Sequence, residues 1–345
     1  MTLLYILAFV LLCIALAQLF KVIELARGFR AGTDWKATES DNRMNARLML
    51  LFYLVFMAWV VKLVMDYGYK GLPESASEHG EKVDALLWGN IIIIFIIFVF
   101  VNAALFYFAF KYYGRKDSKA VFFAHNNKLE MLWTVIPAIA LAFIIIFGLK
   151  YWNEIMSRPS DKEEVIKIEL YSKQFDWTAR FAGVDNQFGV DDYTQIDGAN
   201  SMGLDTNDSR CFDDIIVKNE IHVPVNKMID FQFRSRDVIH SAFMPHFRAQ
   251  MNCVPGQVTK FRFKPTKTTA EMRKNPSVVR NINEINVIRE AKGEDKFEFD
   301  YVLLCNKICG ASHFNMQMKI IVESEAEYKE WLSKQKPFKS VAEKK

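Results

Sequence analysis

Apolar residues follow two different rhythms along this chain, and the change falls near Tyr151. Before that point they run almost unbroken. A helix that crosses lipid needs about 20 residues free of unpaired charge, because hydrocarbon offers the backbone no hydrogen-bonding partner. Thr2 to Phe20, Leu48 to Met65, Ala85 to Phe110 and Met131 to Leu149 meet that demand, with Lys62 close enough to an end to snorkel. Beyond Trp152 the period becomes two: Val165 to Tyr171, Met228 to Phe233, Val258 to Phe263, Phe297 to Leu304 and Gln317 to Val322 alternate apolar with polar residues. Alternation predicts strands with one buried face. Strands separated by Pro, Gly and Asp clusters predict an all-β Greek-key sandwich or small barrel rather than a βαβ fold. Val184 to Asp214 and Pro265 to Lys296 are polar and read as surface excursions. Glu325 to Gln335 predicts a short closing helix, with a loosely held Lys-rich tail after it.

Charge orients the helices. Lys21 to Arg47 carries six Lys or Arg and Lys111 to Lys128 carries five, whereas Tyr67 to Asn90 carries two. Basic loops stay in the cytoplasm, so four retained helices place the N-terminus and everything after Tyr151 outside. Ala15-Leu16-Ala17 also fits a signal-peptide cleavage pattern. Cleavage would strand the six-charge loop outside, and Met1-Thr2 lacks a basic start, so the charge rule favours retention. The expected organisation is two additional transmembrane helices over 1–66, a transmembrane hairpin over 85–150, an external domain over 151–335 and a flexible tail over 336–345. A net charge of +4 on 345 residues, with the cations near the apolar runs, gives no case for nucleic-acid binding.

The chemistry concentrates in Cys305-Asn306-Lys307-Ile308-Cys309-Gly310-Ala311-Ser312-His313-Phe314-Asn315-Met316, directly after a predicted strand. Two thiolates, an imidazole and a thioether within one loop suit copper, because soft sulfur with imidazole is the usual donor set of copper electron-transfer sites. Two sulfurs on one loop can bridge two ions, and the second ion needs a further nitrogen. His240 in Asp237-Val238-Ile239-His240-Ser241 offers it, with His222 and His246 as competitors. Two other readings stay open: a disulfide between Cys305 and Cys309, which closes a small strained loop and leaves His313 and Met316 unexplained, and a tetrahedral Cys2His2 zinc site, which has little use for Met316. Cys13, Cys211 and Cys253 are read as free thiols or packing residues, with a bridge between Cys211 and Cys253 undetermined. His79, His125 and His222 have no partner pattern.

C-x3-C-x3-H-x2-M preceded by D-V-I-H-S resembles the dinuclear copper signature of cytochrome c oxidase subunit II. Asn252-Cys253-Val254-Pro255-Gly256 is similar to that family's D-x-x-P-G turn, and Leu129-Glu130-Met131-Leu132-Trp133-Thr134-Val135-Ile136-Pro137 to the opening of its second transmembrane helix. The likeness spans about Ala85 to Glu323 and leaves the first two helices as additions. It implies a cupredoxin-like external domain on the periplasmic face of a bacterial inner membrane. It implies two copper ions held by His240, Cys305, Cys309, His313 and Met316 with the backbone carbonyl of Lys307, and haem only in subunit I. Its implied partners are subunit I, other oxidase subunits and a cytochrome c or cytochrome c domain, in a proton-translocating oxidoreductase of a respiratory chain.

Three positions qualify the match. The family has glutamate at 307, whose carboxylate helps hold magnesium; an ammonium ligates no cation, so no magnesium contact is expected here. Gln174-Phe175-Asp176-Trp177 stands where the family has Q-W-x-W, so electrons are expected to enter at Trp177 or Phe175, although an aromatic strand face also reads as core. Glu130 corresponds to the mouth of a proton pathway, and equally to a helix N-terminal carboxylate favoured by the macrodipole. Acidic residues from Asp185 to Asp214 are candidates for steering a basic cytochrome c.

The main rival is a copper-free quinol oxidase subunit II with a structural role, opposed by the full set of side-chain ligands. A copper carrier is opposed by Glu130 and the Trp133 to Pro137 match, and a copper enzyme such as nitrous oxide reductase by the lack of chain for further metal domains. Four helices where two suffice suggest contact with a donor complex.

Overall fold

The computed structural model describes residues 2–31, 37–157 and 164–338, so most of the Lys-rich tail lies outside the described residues. Two compact units emerge, Met1–Val64 with Ile96–His125, and Met65–Phe95 with Asn126–Lys345. Four long helices are α1 (Thr2–Ala31), α2 (Glu39–Tyr67), α3 (Glu78–Lys111) and α4 (Asn127–Met156), and all four are long and apolar enough to span a membrane. Each extends past its apolar run, and capping groups start three of them, with Ser77 accepting from the Gly80 N–H at the start of α3. Asn126 accepts from the Leu129 N–H at 3.1 Å and starts α4. Thr38 and Asp41 exchange the corresponding bonds at the start of α2. Within the first unit Tyr53 stacks on Phe106 at 5.1 Å.

The second unit carries two five-stranded sheets. One has the order β3 (Ile215–Lys218), β2 (Asp176–Phe181), β1 (Val165–Lys173), β5 (Met228–Ser235) and β8 (Thr259–Phe263). The other runs β4 (Glu220–Pro224), β10 (Gln317–Glu323), β9 (Tyr301–Cys305), β6 (His240–Met244) and β7 (Ala249–Cys253). β1 runs parallel to β5 and β10 parallel to β4; the remaining pairs are antiparallel. Alternation decides which side chains go in. Met318, Ile320 and Val322 of β10 are buried while Gln317 and Lys319 are exposed. Phe231 and Phe263 stack at 5.4 Å, and Phe247 joins the sheets by meeting Phe263 at 4.8 Å and Tyr301 at 4.6 Å. Such ring pairs contribute about 0.5–1.5 kcal/mol each beyond their buried area. This is the all-β domain on a helical anchor that the chain's rhythm predicts, and the cupredoxin-like domain that the resemblance implies.

Both polar insertions hold more structure than their composition suggests. Pro265 to Lys296 contains α5 (Thr269–Met272) and the sixteen-residue α6 (Pro276–Ala291), which buries Val278. Val184 to Asp214 has little regular structure, yet it buries Met202, Leu204 and Cys211 in a second small core with Tyr171 and Phe338. Its carboxylates largely hold the loop together: Asp192, Asp197 and Asp205 accept backbone N–H groups within two or three residues. Asp208 binds Arg210, and fully buried Arg180 is shared between Asp214 and Glu169. α7 (Glu325–Ser333) closes the domain, started by a Ser324–Glu327 capping box.

The domain is fastened to the outer ends of α3 and α4. Arg248, in left-handed backbone conformation, donates to both Asp84 oxygens at 2.6 and 2.8 Å and to the carbonyls of Pro73 and Pro245. Lys82 pairs with Glu154 at 2.7 Å between the two helices.

Candidate metal centre

His240 opens β6 and Cys305 ends β9. The two strands are antiparallel neighbours with Ala242 opposite Cys305, so both residues come to the same end of the sheet. The ladder continues one step further, with Asn306 N–H donating to the Ser241 carbonyl at 2.9 Å. From there the loop turns back on itself until Cys305 N–H donates to the Met316 carbonyl at 3.0 Å. Gly310 makes the turn at φ +140°, and a Cβ there would stand 2.8 Å from both the Gln174 Nε2 and the Phe175 ring. Glycine is required by conformation and by close approach alike.

The result gathers the sulfur and nitrogen donors. Cys305 Sγ lies 3.7 Å from His240 Nδ1, 3.8 Å from Cys309 Sγ and 3.2 Å from the Lys307 carbonyl. Cys309 Sγ lies 3.5 Å from His313 Nδ1 and 3.9 Å from Met316 Sδ. A sulfur separation of 3.8 Å is far beyond the roughly 2 Å of a disulfide, and all five cysteines are free. The same finding disposes of a Cys211–Cys253 bridge. His240, Cys305 and Cys309 are buried and their ligating atoms fall within 4.8 Å of one another, as a metal site requires. Burial pushes the Cys309 thiol up to about 11, with Cys305 adding to the effect.

His240 is aimed from behind. Its Nε2 meets Asp237 Oδ1 at 2.9 Å, which turns Nδ1 toward the sulfur. Burial works against the Asp237 charge, but hydrogen bonds from Gln174 N–H, His240 and Val238 N–H outweigh it and hold this carboxyl below the usual range. Its competitors are occupied elsewhere. His222 meets Glu323 at 2.9 Å and stacks on Trp331 at 4.3 Å, while His246 is packed edge-on against Phe299 and Tyr301.

The remaining sequence candidates divide. Trp177 is fully buried, edge-on to the His240 ring at 6.3 Å, and its indole N–H has no partner among the described residues. Phe175 is only half-buried and touches the loop at Gly310. The Lys307 side chain points outward and is exposed. Glu130 is exposed in the first turn of α4, where it accepts from Asn126 N–H at 3.3 Å. In the sequence Gln174 figures only as the first residue of the Q-F-D-W stretch, yet its side chain donates to the Cys309 carbonyl at 2.5 Å.

Comparison with known proteins agrees with this architecture. Residues 66–151 match the family model for the transmembrane domain of cytochrome c oxidase subunit II, and residues 166–273 match the model for its periplasmic domain. The second match ends before the Cys305–Met316 loop. The alternative cytochrome c oxidase subunit 2 of Bradyrhizobium diazoefficiens is 30% identical over 84% of this chain and 88% of its own length. Cytochrome c oxidase subunit 2 of Cereibacter sphaeroides is 23% identical over 77% of this chain and 80% of its length. The solved periplasmic domain of subunit II of cytochrome oxidase from Bradyrhizobium japonicum aligns with 55% of this chain and 99% of its own at 21% identity, with a TM-score of 0.31. The chain is thus a multi-pass inner-membrane protein with an external electron-transfer domain, and it belongs to the cytochrome c oxidase subunit II family, as part of an oxidoreductase complex.

Proposed function

We propose that the external domain takes electrons from a cytochrome c and passes them to haem in subunit I through a dinuclear copper centre held by His240, Cys305, Cys309, His313, Met316 and the Lys307 carbonyl. The observation that carries this reading is the division of the donors. His240 approaches Cys305 while His313 and Met316 approach Cys309, so each buried thiol has its own imidazole. A single tetrahedral zinc ion would draw both imidazoles to one point. When bound, the copper pair supplies a one-electron couple shared between two ions. The protein supplies rigidity: two strand ends and a loop closed by backbone hydrogen bonds limit rearrangement when the charge changes.

Trp177, wholly buried, supports the His240 ring, and half-exposed Phe175 is the aromatic contact for the donor. Lys307 presents an ammonium where magnesium would need an oxygen, so this subunit holds no magnesium. Glu130, in the first turn of α4, accepts from the Asn126 N–H and offers a carboxylate for proton uptake on the cytoplasmic side. Glu130→Gln is expected to slow turnover of the complex while leaving reduction of this subunit unchanged. The function itself is tested by mixing the purified complex with reduced cytochrome c. The copper resonance should disappear before haem is reduced; haem reduction in a copper-free complex at full rate would support the quinol-oxidase alternative instead.

A further inference from the structure

Gln174 lies in the β1–β2 turn, outside both segments that supply the donors, and it touches each of them. Its side-chain Nε2 donates to the Cys309 carbonyl at 2.5 Å. Its backbone N–H donates to Asp237 Oδ2 at 2.8 Å, and the other oxygen of that carboxylate meets His240 Nε2 at 2.9 Å. One residue therefore joins the loop that carries two thiols, a second imidazole and a thioether to the carboxylate that orients the first imidazole. Gln174 is otherwise exposed, and its Nε2 together with the Phe175 ring occupies the space that a Cβ on Gly310 would need.

We propose that Gln174 is a positioning residue for the metal centre, fixing the Cys305–Met316 loop against the Asp237–His240 pair and setting the reduction potential through the amide N–H directed at the Cys309 carbonyl. This rests on the copper reading given above. The sign follows from electrostatics. An N–H dipole with its positive end toward the peptide beside a ligating sulfur favours the form with one electron more, so removing it lowers the potential. A carboxylate in its place lowers the potential further.

The test compares Gln174→Met, which removes the donor at similar length, and Gln174→Glu, which keeps the shape but replaces donor with anion, in the full chain within its oxidase complex. Both should retain two coppers per chain. The potential should fall in the order wild type, Gln174→Met, Gln174→Glu, and the copper hyperfine pattern should change in both variants. A purely space-filling role predicts that Gln174→Met keeps the wild-type potential and spectrum, and that result overturns the proposal. If the variants load copper poorly, hydrogen exchange of the metal-free chain decides. Amides of residues 309–316 should lose at least tenfold in protection in Gln174→Met while β1 and β5 keep theirs; unchanged protection in the loop overturns the proposal too. Copper missing from the wild type would instead sink the electron-relay reading and leave the exchange result standing alone.

Discussion

His240 Nδ1 and Cys305 Sγ stand 3.7 Å apart across 65 positions of sequence, at adjoining ends of antiparallel β6 and β9. Because the pairing of β6 with β9 positions these atoms through the backbone ladder, removing one donor should leave the fold and empty the site. His240→Asn is expected to keep the wild-type circular dichroism spectrum and lose one or both coppers, as measured by metal content per chain. Cys305→Ser should do the same, and combining the two should cost little more, since ligands of one centre act as a unit.

Phe175 and Trp177 share a turn but differ in access. Phe175→Ala should slow reduction by cytochrome c by about tenfold or more, equivalent to roughly 1.4 kcal/mol of barrier, without changing copper content. Trp177→Phe should act mainly on the site itself, through the ring against His240, and so shift the copper spectrum before it changes the apparent affinity for the donor. Stopped-flow traces at several donor concentrations separate the two effects.

Arg248 is the fastener between the β-domain and the outer end of α3, with only 8% of its side chain exposed. Arg248→Met strips four charge-assisted hydrogen bonds and leaves Asp84 partly buried without its partner. A loss of about 3 kcal/mol is expected, read as a fall in the thermal midpoint of the detergent-solubilised protein. A change within error would show that the strands, not this contact, set the domain's position.

His246 supplies a pH dependence. Burial, reinforced by the Arg248 charge, pushes its imidazole down to about 4, below the ordinary value near 6.5. The folded state thus favours the neutral ring, and the unfolded chain binds the proton first. Stability from this group is complete above about pH 6.5 and is lost as pH falls from there toward 4, by roughly 2–3 kcal/mol at the lower end. His246→Phe should flatten that part of the stability curve relative to wild type; parallel curves for the two proteins would contradict the assignment.

Much of this could be read in advance, for identifiable reasons. β1, β5, β8 and β10 largely alternate apolar with polar residues and so read as strands, whereas the alternating Phe297 to Asp300 lies before β9, whose own five residues are all apolar. β6 was not, because His240, Ser241 and Ala242 are buried in succession, as befits a strand covered on both sides at the metal end. α6 was hidden by its charges, although Asn275 as cap and Pro276 at its first position are an ordinary start signal. In the Asp-rich insertion, carboxylates spent on local turns masked the buried Met202 and Leu204. The donor residues were legible because their chemistry is rare. Their spatial pairing, and the bond from Gln174 to the Cys309 carbonyl, depend on which strand ends meet, and no local pattern encodes that.

The most direct test is metal analysis of the purified complex combined with electron paramagnetic resonance. Two coppers per copy of this chain, beyond any copper in subunit I, with one unpaired electron coupled to both nuclei, is the predicted result. A single copper, a zinc ion in its place, or a spectrum showing coupling to only one nucleus would contradict the dinuclear centre.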